Sequence, residues 1–542
     1  MGGGLMQLVA YGAQDIYLTG QPQITFFKVV YRRHTNFSVE PIQQTFQGAA
    51  EFGRTVTCNI NRNGDLITNM YFVAKIDKGV RSTTSGATYG WVNKLGFAMI
   101  HSCKIEVGGS KIDEQYGDWL NVWNELTREA SHDRGHNAMI GNVPALTKIG
   151  GGSASEDYTM YVPLKFWFNR NNGLALPLIA LQYHDVRVTV VLREACDLIN
   201  FKGATSPGAV GVSNSAMKDA YLLIDYVYLD SEERKRFAQA AHEYLIEQLQ
   251  FTGDETYNSD NLKYRLNFNH PSKYLVWNTL LDRYTDSNQW VAWAVDGDWE
   301  EAREKFAKLI WLGTRTDLEQ GNGDTFSLSM DDSTVELGDV PNVISGLGTT
   351  LQALVDKVEA QVLFAKTDGG GNMADADLAN TVLLKNEITF EDMNILVSEI
   401  NATSGLLTAN KNFFKANGCY VRDYHNYSDH PNCEGNPILT AKLQLNGHDR
   451  FSVRDGNYFN YVQPYQHFTC TPCDGINVYS FALKPQDHQP SGTCNFSRID
   501  NTTLNLTTSY SSTTGEGVVK VYCVNYNVFR VMSGMGGLNF AN

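Results

Sequence analysis

The feature that most limits what this chain can fold into is a β pattern that occurs twice. Lys104–Ile112 (KIEVGGSKI) has two short arms of alternating character joined by Gly108-Gly109. A Gly-Gly pair can take the positive φ of a tight two-residue turn, so the stretch is a hairpin. Lys442–Phe451 (KLQLNGHDRF) repeats it with Asn446-Gly447 at the turn. After the first hairpin, Trp119, Leu120, Val122, Trp123 and Leu126 are spaced as a short amphipathic helix. Tyr161–Phe168 and Ala220–Leu229 then follow as strands. After the second hairpin come Tyr458, Phe459 and Tyr461, then Ile476–Leu483 and Lys520–Val531, in the same order. Identity between the halves is weak, but the order of elements is kept. The pattern predicts an internal duplication of an all-β unit, each copy an antiparallel sandwich of about 8 strands.

Length agrees. A chain of 542 residues is too long for one hydrophobic core, so at least two domains are expected. Charged residues are 19% of the chain, below the roughly 25% usual in soluble domains. Such a surface suits a protein that hides much of its exterior against copies of itself. Lys plus Arg is 44 against 59 Asp plus Glu, a net charge of −15. That balance argues against a broad grip on nucleic acid, which needs clustered cations to displace counterions. The start, MGGGLMQLVA, lacks the basic segment and apolar core of a secretory signal. No apolar run is long enough to span a bilayer. Nine cysteines, an odd count, fit reduced thiols better than a disulfide framework. A chain made and kept in the cytosol, or in a particle assembled there, is the expectation.

Taken in order, the chain opens with Gln7–Gln23 and a dense β-type run, Phe26–Tyr31, interrupted by Arg32, Arg33 and His34. Phe37, Val39 and Ile42 resume a period-2 pattern in which Pro41 marks a bulge or an edge. Thr55–Ile60, Met70–Ile76 and Val186–Leu192 read as strands, and Thr127 to about Thr159 as a polar, Gly-rich loop. Asp230 or Ser231 caps a charged helix ahead of the second half. Tyr264–Asn278 returns to strand patterning. The period then changes: Trp299 to Ile310, Leu351 to Val362 and Met393 to Ile400 carry apolar residues at helical spacing. Residues 298 to about 417 are therefore expected to be a mostly helical insertion in the second unit.

Chemistry-bearing groupings are few. His184 and Asp185 are adjacent, and neighbours on a strand point to opposite faces. Cys470-Thr471-Pro472-Cys473 has the spacing of half a zinc site or a redox pair, but a structural zinc needs a second ligand pair, and the redox motif belongs in a βαβ context. Tyr424–His430 mixes polar and aromatic residues as surface loops do. No GxGxxG follows a strand, and there is neither a P-loop nor a GxSxG elbow. From the residues alone, no catalytic, metal or cofactor-binding residue is assigned.

Several stretches carry a resemblance: Tyr11–Gly20 (YGAQDIYLTG), Thr25–Phe37 (TFFKVVYRRHTNF), Leu176–Val186 (LPLIALQYHDV), Leu229–Ala238 (LDSEERKRFA) leading into His242–Gln248, Gln489–Asn501, and Met532–Gly537. Through these the chain resembles the major capsid proteins of nucleocytoplasmic large DNA viruses. The resemblance implies two consecutive jelly-roll β-sandwiches, a double jelly roll. Its expected parts are an arm over 1–25, a first jelly roll over 26–230, a linker over 231–250, and a second jelly roll over 251–542 with the insertion on the outward face. It implies a structural subunit of an icosahedral shell, not an enzyme, and no cofactor. The implied partners are the chain itself, as a homotrimer and as neighbouring capsomers, together with minor capsid proteins and a nearby inner membrane. Neither direct nucleic-acid contact nor a small-molecule substrate is implied. The implied location is the virion's capsid shell, assembled in the host cytoplasm. The rival from another class is a glycan-binding or glycan-cleaving β-sandwich protein, since aromatic-rich jelly rolls often bind sugars; cleavage would need two carboxylates across a cleft.

Overall fold

The computed structural model describes residues 3–19, 21, 33–77, 88–147, 157–202, 212, 214–282, 285, 288, 290–293, 325–327, 334–336, 435–510 and 516–540. Four larger sheets organise them, all antiparallel. In the first unit, Phe37–Thr45, Met217–Leu229, Leu66–Asp77 and Asp157–Pro163 lie side by side in that order. The facing sheet runs Thr55–Asn59, Val186–Leu192, Ile100–Val107, Ser110–Tyr116. The second unit repeats both orders. One sheet is His242–Tyr257, Gly517–Met532, Pro271–Leu281, Ile476–Ser480. The other is Asn261–Leu266, Thr502–Thr508, Ile438–Leu445, His448–Asp449. Each pair of sheets buries its inward residues in its own core: Phe72, Ile105, Val188 and Ile224 in the first, Trp277, Leu443, Leu504 and Val521 in the second.

The duplication extends to single residues. Both hairpin turns have positive φ at the two central positions, 57° and 80° at Gly108-Gly109, 48° and 83° at Asn446-Gly447. Each hairpin leads into a helical segment that opens alike, GDWLNVW from Gly117 and GNYFNYV from Gly456. Leu120 and Phe459 plug their own cores at equivalent places. The two glycines answer the same constraint. A Cβ on Gly117 would lie 2.1 Å from the Phe97 carbonyl oxygen and 2.2 Å from that of Ile100. On Gly456 it would lie 1.8 Å from the Ile438 oxygen.

Some expectations need correction. Thr127–Thr159 is not a plain loop. A 3₁₀ turn (Ala130–His132) and two helices (Asp133–Met139, Pro144–Thr147) cross it, because Ile140 and Leu146 bury fully in the first core. Tyr161–Phe168 is strand only to Pro163. Trp167–Arg170 turns helical, with the Phe166 N–H donating to Asn169 Oδ1 at 3.1 Å. The connecting helix Ser231–Gln239 follows Asp230, but the strand His242–Tyr257 begins inside the span expected as linker. It is drawn into the second unit by a ladder with Gly517–Met532. Phe37–Thr45 is an edge strand, the position Pro41 tolerates. The Phe26–Tyr31 run and the three expected insertion helices lie outside the described residues. Within 298–417 the described pieces are an antiparallel pair, Thr325–Ser327 with Thr334–Glu336.

Gly117→Ala and Gly456→Ala are expected to cost at least about 2 kcal/mol each, since the blocking atoms are backbone oxygens that cannot rotate away. Gly109→Ala, with open space around its Cβ, meets only the φ penalty of about 1–2 kcal/mol. Chemical-denaturation midpoints of the three variants provide the comparison.

Candidate functional site

The two units are joined through the Gly117–Thr127 helix. Trp119, Val122 and Leu126 pack against the second unit while Leu120 points into the first unit's core. The Trp119 ring lies 5.3 Å from Tyr522 and 6.4 Å from Tyr274, centroid to centroid. A helix apolar on several sides has to be buried on several sides. The exchange is mutual. Ile246, Phe529 and Val531 of the second unit sit in the first core, with Phe529 5.7 Å from Trp167. The helix's C-terminal carbonyl on Leu126 accepts from Cys470 N at 3.2 Å and Gln486 Nε2 at 3.3 Å.

Charges sit inside this seam in matched sets. Asp118 accepts from Lys520 Nζ and lies 3.6 Å from Arg193. Burial alone would raise its pKa, but the two cations hold the carboxyl below the usual range. Glu125 accepts from Lys94 at 2.8 Å, and Cys473 Sγ donates to its other oxygen at 3.6 Å. Glu247 takes Lys273 at 2.6 Å and Arg170 at 3.1 Å. The ladder shifts register between Ser272 and Tyr274, so Lys273 sits at an irregularity that lets it turn toward Glu247. Asp113 Oδ1 accepts the Leu249 N–H at 3.0 Å, and Gln248 Nε2 donates to the Ile112 carbonyl. Removing one partner of the Asp118, Glu125 or Glu247 ion pairs costs about 3–5 kcal/mol, because a buried charge is left alone.

Two of the stretches singled out in the sequence meet here. Tyr183 N donates to the Gly534 carbonyl at 2.9 Å, and His184 Nδ1 lies 2.9 Å from the Gly536 carbonyl. Asp185 instead faces Arg62 at 3.7 Å from an exposed position. Cys470 and Cys473 are half-buried thiols outside any disulfide. Among the described residues no group of three or more His, Cys, Asp or Glu is arranged to hold a metal, and no helix is long and apolar enough to cross a membrane. Tyr424–His430 lies outside the described residues.

The seam fixes two like units into one block, and comparison with known proteins says what kind of block. A family model for the major capsid protein N-terminus matches residues 25–230, and one for the large eukaryotic DNA virus major capsid protein matches 233–537. The chain belongs to the large DNA virus major capsid proteins. It is 42% identical to the major capsid protein of Phaeocystis pouchetii virus over 100% of both chains. Against that of Paramecium bursaria Chlorella virus 1 it is 36% identical, again over 100% of both. A solved structure, the quasi-atomic PBCV-1 virus capsid, superposes with a TM-score of 0.61 at 30% identity, covering 96% of this chain and 100% of that one.

A major capsid protein is a structural component of the virion shell. What sequence reasoning missed is the seam's polar half. Asp118 and Lys520 stand 402 residues apart, and nothing local marks them as partners. Only the aromatic density of Trp119-Leu120 and Val122-Trp123 hinted at double burial.

Asp113 gives the seam a pH dependence. Burial pushes its carboxyl up to about 6, against the hydrogen bond from Leu249 and the charge of Arg170. A carboxyl that holds its proton more tightly when folded loses stability on ionising. The penalty is absent below about pH 4 and complete above about 6. Asp113→Asn is therefore expected to gain about 2–3 kcal/mol relative to the parent between pH 4 and pH 7. Any hydrogen-bond defect of the amide acts alike at both. Guanidinium unfolding at the two pH values measures the difference, and a pH-independent difference would contradict it.

Proposed function

We propose that the chain is a double jelly roll whose three copies close into a pseudo-hexagonal capsomer, the tile of an icosahedral shell. Support for the jelly roll comes from strand order. Numbering the eight main strands within each unit gives 1-8-3-6 in one sheet and 2-7-4-5 in the other, twice over. On this reading 1–25 is an arm, 26–230 the first jelly roll, and the second runs from His242 onward.

The observation that carries the trimer is that the internal joint uses each unit differently. The first unit gives its helix, Gly117–Thr127, and the second gives the outer face of its sheet. The counterpart of each half is left open. In the second unit's helical segment Tyr461 is 41% and Tyr465 83% exposed. On the outer face of the first unit's sheet Phe37 is 55% and Tyr161 38% exposed. Such a head-to-tail joint closes into a ring when the rotation allows. Three chains of two units give six near-equivalent joints, three within chains and three between them.

Other parts of the reading follow from the resemblance and the charge. The shell assembles in the host cytoplasm near an inner membrane, without direct genome contact and without turning over a substrate. The arm carries Leu8, Tyr17 and Leu18 at 78%, 88% and 84% exposure, and on this reading it binds minor capsid proteins or neighbouring capsomers.

Light scattering of the purified chain is expected to give three times the 60.5 kDa protomer. Tyr465→Asp and Val39→Asp, the latter on the same strand face as Phe37 and 50% exposed, should yield folded monomers, whereas Tyr183→Asp, 76% exposed but away from both half-joints, should stay trimeric. A monomeric parent would end the proposal. Deleting residues 2–24 should leave trimers intact but lower shell yield at least several-fold by electron microscopy; undiminished shells would remove the arm's role.

A further inference from the structure

The seam is not filled throughout. Between the units lies a cavity of about 300 Å³, walled by the aromatic rings of Trp123, Trp167, Tyr274 and Phe468 and by Lys165 and Arg170. Its charges do not balance. Arg170 donates to Glu247 at 3.1 Å and to the Lys165 carbonyl at 2.8 Å. Glu247 spends its other oxygen on Lys273 at 2.6 Å. One carboxylate thus already faces two cations.

Lys165 is a third cation, and among the described residues it has no ion pair with a carboxylate. Its ammonium lies 4.9 Å from the Trp123 ring centre, with the Arg170 guanidinium 5.2 Å from the same ring. A cation–π contact is worth about 0.5–2 kcal/mol. Withdrawing an ammonium from water costs several kcal/mol, so the ring alone does not compensate. Lys165 itself and the nearby His136 register the excess. Burial and then Arg170 push the Lys165 ammonium down to about 8. Burial first, then Lys165 and Lys94, push the His136 imidazole down to about 4.

We propose that this cavity binds a small organic carboxylate, with the anion on Lys165 and its apolar body against Trp167, Tyr274 and Phe468. The lining combines four aromatic rings and Leu174 with polar and charged groups, and the volume is at the small end of the range for small-molecule sites. An inorganic anion would leave the rings unused. Because Trp123 and Lys165 come from the first unit and Tyr274 and Phe468 from the second, such a ligand ties the units together. It therefore raises the melting temperature of the folded block.

Calorimetric titration of the full-length protein with phenylacetate, phenethyl alcohol and inorganic phosphate tests this. Phenylacetate is expected to bind once per chain, at least tenfold tighter than the uncharged alcohol or phosphate, and to raise the melting temperature. Lys165→Met should weaken it at least tenfold. Thr469→Trp, at the exposed rim with Lys165 kept, should block it and guards against a folding defect in the first variant. Absent binding, equal binding of the alcohol, tighter binding of phosphate, or an affinity unchanged in both variants would overturn the proposal.

Discussion

A strand buried on both faces needs two partners, and Pro271–Leu281 is such a strand: every residue after Pro271 is buried. One face looks into the second unit's core, where Trp277 meets Phe459 at 5.1 Å. The other meets the first unit's helix, where Tyr274 stacks on Trp119. A lone second sandwich would expose that face to water. Each large apolar side chain left uncovered forgoes about 1.5–3 kcal/mol of burial. The second unit is thus completed by the first, and the relative placement of the two is set by the same force that makes each core.

Apolar contact by itself is tolerant of sliding, and the buried charges supply what it lacks. Asp118 on the helix and Lys520 on the facing strand lie among rings, so a shift of one residue would strand both. Buried pairs add little net stability over apolar substitutes, but mispairing them is expensive. The Glu247 set acts likewise at the bulge of Lys273. A shell built from many copies multiplies any error in the angle between units, so a joint with one permitted register serves assembly better than a merely sticky one.

The sequence revealed what is local and concealed what is not. Both hairpins were legible because Gly108-Gly109 and Asn446-Gly447 carry the turn's φ requirement in themselves. The doubled order of elements was legible because alternation and helix spacing survive divergence. The Thr127–Thr159 region misled because its polar, Gly-rich composition outweighs the two residues, Ile140 and Leu146, that anchor it. The helix at Gly117 was visible, but not that Trp119 and Leu120 serve different cores. The ion pairs were invisible because their partners are hundreds of residues apart and become neighbours only through the fold.

The two helical segments show how a duplicated unit specialises. Their backbones begin under one constraint, a glycine beneath a strand's carbonyl, and Leu120 and Phe459 fill equivalent places. The outward positions differ in kind. Asp118 and Trp119 are buried, whereas Asn457 is exposed and Tyr458 half-buried. A permanent joint within one chain tolerates a buried ion pair, since its partner is always present. A joint that must first exist open to solvent is safer with a neutral amide and amphipathic tyrosines, which keep the free surface soluble and still bury a ring on closure. In the proposed ring of three chains, covalent linkage makes half of the joints permanent and leaves the other half to be tuned for assembly.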